Sequence, residues 1–153
     1  MNICIVYDTK REKRATRQIV EWMTEELRAS TGVGVGVKRP WEVESFHYDL
    51  FVAGSPIYYE KPMKSVVDFL ASNREKLKQK KVAVFVLCWA EKFGKLAKGY
   101  VKKRYLKPLE REVSDSLIMS GVFRGWLRNP DTKQRELCTN WIREVVEKAK
   151  KDG

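Results

Sequence analysis

Between Asp8 and Thr16 the chain places two hydroxyls, Thr9 and Thr16, among four cations: Lys10, Arg11, Lys13 and Arg14. Arg17 follows closely, and Glu12 neutralises only part of the charge. The apolar pattern that follows is helical, so these cations crowd a helix N-terminus, which already carries partial positive charge. An anion bound there would offset the repulsion. Without a ligand, the same run is a solvated surface. A second group, Ser55-Pro56-Ile57-Tyr58-Tyr59, offers two aromatic faces suited to a flat π-system. Pro56 and Ile57 would fix the loop. A third group, Cys88-Trp89-Ala90 with Phe93 and Gly94, closes the longest apolar run. Trp89 and Phe93 are its aromatic residues. Cys88 is expected to be a buried strand-end thiol, since no basic partner is identifiable in sequence.

Other chemistries find little support. His47 is the only histidine, which opposes a His-based metal centre or a Ser-His-Asp triad. The cysteines number three, at 4, 88 and 138, with no Cys-x-x-Cys. Neither a disulfide framework nor a zinc site is suggested. No acid/base pair stands out; Glu60 and Glu91 lie in loops, where lone carboxylates are usually solvated.

The elements that must position these groups alternate in type. Asn2 to Tyr7 is short, apolar and β-branched, as a strand buried on both faces should be. Ile19, Val20, Met23 and Leu27 recur at helical spacing. Val33 to Val37 is a glycine-interrupted strand, expected at an edge. Asp49 to Gly54 is a third strand, which Ser55-Pro56 is expected to stop. Pro62 suits the first position of the next helix. Lys81 to Cys88 is a central strand. Leu96 to about Val113 reads as a helix with a kink or break at Pro108. Leu117 to Phe123 is a fifth strand, and Lys133 to Lys150 a final amphipathic helix. Strands that alternate with crossovers imply a doubly wound α/β sheet, whose ligands bind outside the carboxyl ends of the strands. The candidate loops are therefore Asp8 to Thr16, Ser55 to Lys61 and Cys88 to Lys95.

A length of 153 residues fits a single domain over 1–153. The net charge of +11 attracts acidic partners. Nucleic acid finds charge but no recognition motif. No stretch approaches the roughly 20 apolar residues of a membrane span. The apolar start is too short for a signal peptide, so a cytoplasmic protein is expected.

Tyr48-Asp49-Leu50-Phe51-Val52-Ala53-Gly54-Ser55-Pro56 resembles the third strand and following loop of the flavodoxin family. The later Gly121-Val122-Phe123-Arg124-Gly125 resembles the branch that holds the flavodoxin-type protoporphyrinogen oxidases. The resemblance covers nearly the whole chain in element order. It implies a flavodoxin-like, doubly wound five-stranded parallel sheet in the order 2-1-3-4-5, an FMN cofactor and redox chemistry. It also implies that the first loop holds the FMN phosphate, that Tyr58 stacks on the ring, and that the loop from Cys88 covers the ring's other side through Trp89 or Phe93 and backbone N–H groups. Thr9 matches the early hydroxyl of the family's Ser/Thr-x-Thr-Gly-x-Thr pattern, and Thr16 the last. The loop is about two residues longer than the family's and lacks its glycine. Basic side chains therefore either replace part of the backbone nest, or serve another anion, or bind nothing.

Two functions follow. One is an FMN-binding protein that transfers electrons or oxidises a small organic substrate or quinone. Its partner is then an acidic redox protein or that small molecule. The other is a flavodoxin-fold binding module without FMN that takes another anionic ligand or acidic partner.

Overall fold

The structure is a computed structural model that describes residues 1–10, 15–88 and 97–151. Its strands are β1 (Asn2–Tyr7), β2 (Gly34–Lys38), β3 (Leu50–Tyr58), β4 (Lys61–Pro62), β5 (Lys81–Cys88) and β6 (Leu117–Arg124). Its helices are α1 (Ala15–Arg28), α2 (Lys64–Ser72), α3 (Arg74–Leu77), α4 (Ala97–Val101), α5 (Lys107–Glu110) and α6 (Thr132–Lys151). A π-helical stretch, Lys102–Leu106, joins α4 to α5.

The sheet order is β2-β1-β3-β5-β6, all parallel, and β4 pairs antiparallel with β3. Numbered without the two-residue β4, this is the expected order 2-1-3-4-5. Alternation along β1 shows how the two faces are filled. Ile3, Ile5 and Tyr7 join the core under α1 and α6. Cys4 and Val6 join the core under α2 and the 97–113 segment. Central parallel strands need apolar residues on both faces, which is why β1, β3 and β5 read as near-continuous apolar runs. The Gly-Val strand β2 lies at an edge.

Two boundaries differ from expectation. The strand expected to stop at Ser55-Pro56 runs on to Tyr58. β1 ends opposite Gly54, so beyond that point β3 has lost one parallel neighbour. Proline is tolerated at such a local edge. Pro62, expected at the first turn of a helix, lies instead in β4, and α2 begins at Lys64. The segment before Pro108 holds a π-helical stretch rather than a break. A proline ring crowds the carbonyl four residues earlier, and a wider turn relieves that contact.

The chain leaves β1 for β2 on one side and returns to β3 on the other. The carboxyl ends of β1 and β3 therefore form the switch point of the sheet, where a crevice opens.

Candidate functional site

The crevice is a cleft of about 380 Å³, within the roughly 300–1,000 Å³ typical of small-molecule pockets. Among the described residues, four segments line it. Thr9, Ala15 and Thr16 come from the first loop and the start of α1; Pro56, Ile57 and Tyr58 come from the end of β3. Leu87 and Cys88 end β5, and Gly125, Trp126 and Leu127 follow β6. Thr9 and Thr16 are both buried, and the Thr9 hydroxyl lies 3.4 Å from the Tyr58 hydroxyl. Since Ala15 is the first residue of α1, the positive end of that helix opens on the cleft.

Buried Asp8 fixes the start of the first loop. One of its carboxylate oxygens accepts the Thr9 N–H at 2.8 Å and an Arg39 guanidinium N–H at 2.9 Å. The other accepts the Ser65 hydroxyl at 2.6 Å. The Arg39 guanidinium also covers the Tyr7 ring at 4.5 Å. The end of β1, the residue after β2 and the first turn of α2 are thus tied together beneath the loop. Sequence reading assigned Asp8 and Arg39 no such role. Acid and base stand 31 positions apart, and no local pattern links them.

Beyond the cleft, Tyr59 and Glu60 form the two-residue turn of the β3–β4 hairpin, with φ of 50° and 66°. Positive φ at both positions is what a type I′ turn requires, and Asn-Gly is its preferred sequence. The turn is held from outside. The Tyr100 and Tyr105 hydroxyls donate to one Glu60 carboxylate oxygen at 2.5 and 2.6 Å. These tyrosines stand five apart, the spacing that a π turn brings to one side. The hydrogen bonds from Tyr100 and then Tyr105 lower the Glu60 pKa. Burial, and then the bond to Glu60, raises that of Tyr105.

The other expected residues divide clearly. Ser55 is fully buried; its hydroxyl donates to the Pro56 carbonyl at 2.7 Å and accepts the Met63 N–H at 2.8 Å, which fixes the base of the hairpin. Tyr59 is not part of the described cleft lining and is 91% exposed. The Lys10 ammonium lies over the Tyr58 and Tyr59 rings at 5.1 and 5.5 Å. Arg11, Lys13, Arg14, Trp89, Ala90, Phe93 and Gly94 lie outside the described residues. Cys88 is buried at the cleft, and its carbonyl accepts the Gly125 N–H at 3.4 Å. Cys4 and Cys138 are buried elsewhere, and burial pushes both thiols up to about 11.

The fourth lining segment was missed. Trp126 packs on Trp22 with ring centroids 5.5 Å apart. Buried Gln134 accepts the Arg124 N–H at 2.9 Å and so anchors the end of β6 to α6. The rule that ligands lie beyond strand ends applies to the last strand too, and an aromatic residue two positions past it was the available signal.

A family model described as "Flavodoxin domain" matches residues 4–152. This chain belongs to the flavodoxin family. No curated protein matches it. Flavodoxin 2 from Bacillus cereus is 20% identical with a TM-score of 0.68, over 97% of this chain and 99% of that one. Flavodoxin 1 from Bacillus cereus is 15% identical with a TM-score of 0.66, over 96% and 98%. Rubredoxin oxygen:oxidoreductase from Desulfovibrio gigas is 14% identical with a TM-score of 0.71, over 97% of this chain. The flavodoxin-like chain spans only 36% of that oxidoreductase. Identities this low establish the shared fold. Family membership supports FMN-binding electron transfer as the general class of function.

The residues present fit such a cofactor. Two buried hydroxyls and a helix N-terminus at one end of the cleft suit a phosphate. Tyr58 and Trp126 supply aromatic surface for a ring. Among the described residues, no His, Cys, Asp and Glu group could hold a metal, and no helix is long and apolar enough to cross a membrane.

Proposed function

We propose that this flavodoxin-family chain binds FMN in the switch-point cleft and works as a cytoplasmic electron-transfer protein. A small organic substrate or quinone, or an acidic redox protein, is its reaction partner. The observation that supports this is the convergence of Thr9, Thr16 and the α1 N-terminus with Tyr58 and Trp126 in one cleft. Bound FMN supplies one- and two-electron chemistry, and the chain binds, orients and shields it. Thr9 and Thr16 would hold the phosphate, with Lys10, Arg11, Lys13 and Arg14 adding charge. Pro56, Ile57 and Tyr58 would cover one part of the ring, and the segments after β5 and β6 another. Thr9, Thr16, Tyr58 and Cys88 are polar groups of the described lining, and the polypeptide's part is to bind and tune the flavin.

Titration of FMN into flavin-free protein tests this reading by absorbance. Saturable binding is expected. A hydrogen bond to a charged group is worth about 1.5–3 kcal/mol, so Thr16→Ala should weaken FMN about ten- to a hundredfold. Wild-type protein that is folded and takes up no FMN refutes the reading. A second reading, a binding module for another anion, draws on the first loop, which is cationic and has no glycine. Phosphate or sulfate that raises the melting temperature while FMN does not would favour it.

A further inference from the structure

A group of exposed cations with no assigned role lies against the β3–β4 hairpin beside the cleft. From Tyr100 to Lys107 the chain holds four cations, Lys102, Lys103, Arg104 and Lys107, and no carboxylate. All four are exposed. Lys61, Lys102, Lys103 and Lys107 form no ion pair with a described residue, and Arg104 acts electrostatically on Glu60.

These cations stand against the hairpin. β4 packs on the π-helical stretch, and Tyr100 and Tyr105 both bind Glu60. Lys61 follows Glu60 directly in the chain. Tyr58 lines the cleft, while its neighbour Tyr59 projects outward at 91% exposure. Tyr100 is 49% exposed beside it. Interfaces favour such a mixture, aromatic anchors within a ring of charge.

We propose that this rim, Tyr59, Tyr100, Lys61, Lys102, Lys103 and Arg104, is the docking surface for an acidic partner protein. The proposal rests on the electron-transfer reading of the cleft, since electron exchange requires a partner beside it. Charge complementarity sets the partner's sign: a cluster of exposed cations with one carboxylate among them is met by a carboxylate-rich face, which also steers the encounter. A protein fits better than the alternatives. Glu60 sits within the patch and repels a dense phosphate array, whereas a protein face can leave a gap opposite it. A membrane needs apolar side chains to insert, and between Tyr100 and Lys107 the exposed side chains are cations apart from Tyr100 itself.

The probe is an acidic plant-type [2Fe–2S] ferredoxin, titrated calorimetrically into the full chain at low and near-physiological salt. Wild type should bind it, and more weakly as the Debye length falls from about 30 to about 8 Å. The combined Lys102→Gln, Lys103→Gln, Arg104→Gln variant should bind about tenfold more weakly at low salt, from three exposed pairs. Tyr59→Ala should weaken binding several-fold as well. FMN affinity, measured separately by absorbance, should be the same in wild type and the triple variant. Equal ferredoxin affinity in wild type and the triple variant overturns the proposal. So does wild type that ignores ferredoxin, whether or not it captures phosphatidylserine vesicles or duplex DNA. Ferredoxin binding without FMN binding leaves the surface standing and refutes the cofactor reading instead.

Discussion

Tyr59 is a residue that the fold would be better without, and that can be measured. Its φ of 50° places a bulky side chain in the left-handed region. That conformation costs a non-glycine residue about 1–2 kcal/mol. At 91% exposure the ring buries little in return. Its one aromatic contact is the Lys10 ammonium 5.5 Å away, worth about 0.5 kcal/mol at such a site. Asparagine is the preferred residue at the first turn position and tolerates positive φ. Asparagine relieves most but not all of that cost, so Tyr59→Asn should stabilise the flavin-free protein by about 0.5–1 kcal/mol once the lost contact is subtracted. For a chain of this size that raises Tm by roughly 1–4 °C. Thermal denaturation followed by circular dichroism reads it directly. FMN affinity should stay within about twofold, a shift under 0.5 kcal/mol, because Tyr59 does not line the cleft. Binding of an acidic partner should fall. A variant that melts no higher than wild type refutes the strain argument. The exposed ring would then need no functional reason for being there.

Gly54 admits no side chain: an added Cβ would stand 2.0 Å from the Phe85 ring, which is fully buried and packs edge-on against Phe123 and Trp141. Gly54→Ala should cost about 3 kcal/mol or more and lower Tm by roughly 6–12 °C, whereas Gly99→Ala, with open space around it, should not destabilise. Glu60 has a lowered pKa in the folded protein, so its two tyrosine bonds stabilise the hairpin fully above the ordinary value of 4.5 and are lost as pH falls through the lower folded value. Hydrogen exchange at residues 58–62 should accelerate over that acid range in wild type, and Glu60→Gln should remove the pH dependence; an unchanged profile would sink the clamp.

The architecture was readable because the physics that sets it is local and repetitive. A strand buried on both faces must be apolar throughout, and β1, β3 and β5 announce themselves that way. The apolar spacing of α1 and α6 marks their buried faces in the same manner. Boundaries were harder where two local signals compete. Ser55-Pro56 is a turn signal by composition, yet β1 has already ended opposite Gly54, and a locally unpaired strand can carry proline. Pro62 is equally at home at a helix start and on a two-residue edge strand, and only the hairpin register decides between them.

The site was legible to the extent that it follows from topology. Loops beyond strand ends at a switch point were expected to converge, and Thr9, Thr16, Tyr58 and Cys88 do line one cleft. What escaped were features that depend on distant pairing. Asp8 looks like one more charge in a charged loop until Arg39 and Ser65 are found on it. Glu60 looks like a solvated carboxylate until two tyrosines some 40 positions later close on it. The Tyr-Glu turn is the sharpest case, because local propensity there points away from the conformation adopted. A sequence that agrees with its fold almost everywhere and disagrees at one exposed turn marks that turn as serving something other than stability. Here the disagreement falls beside the cleft mouth, where Tyr59 joins the basic rim, and a partner's surface is what such a ring could meet.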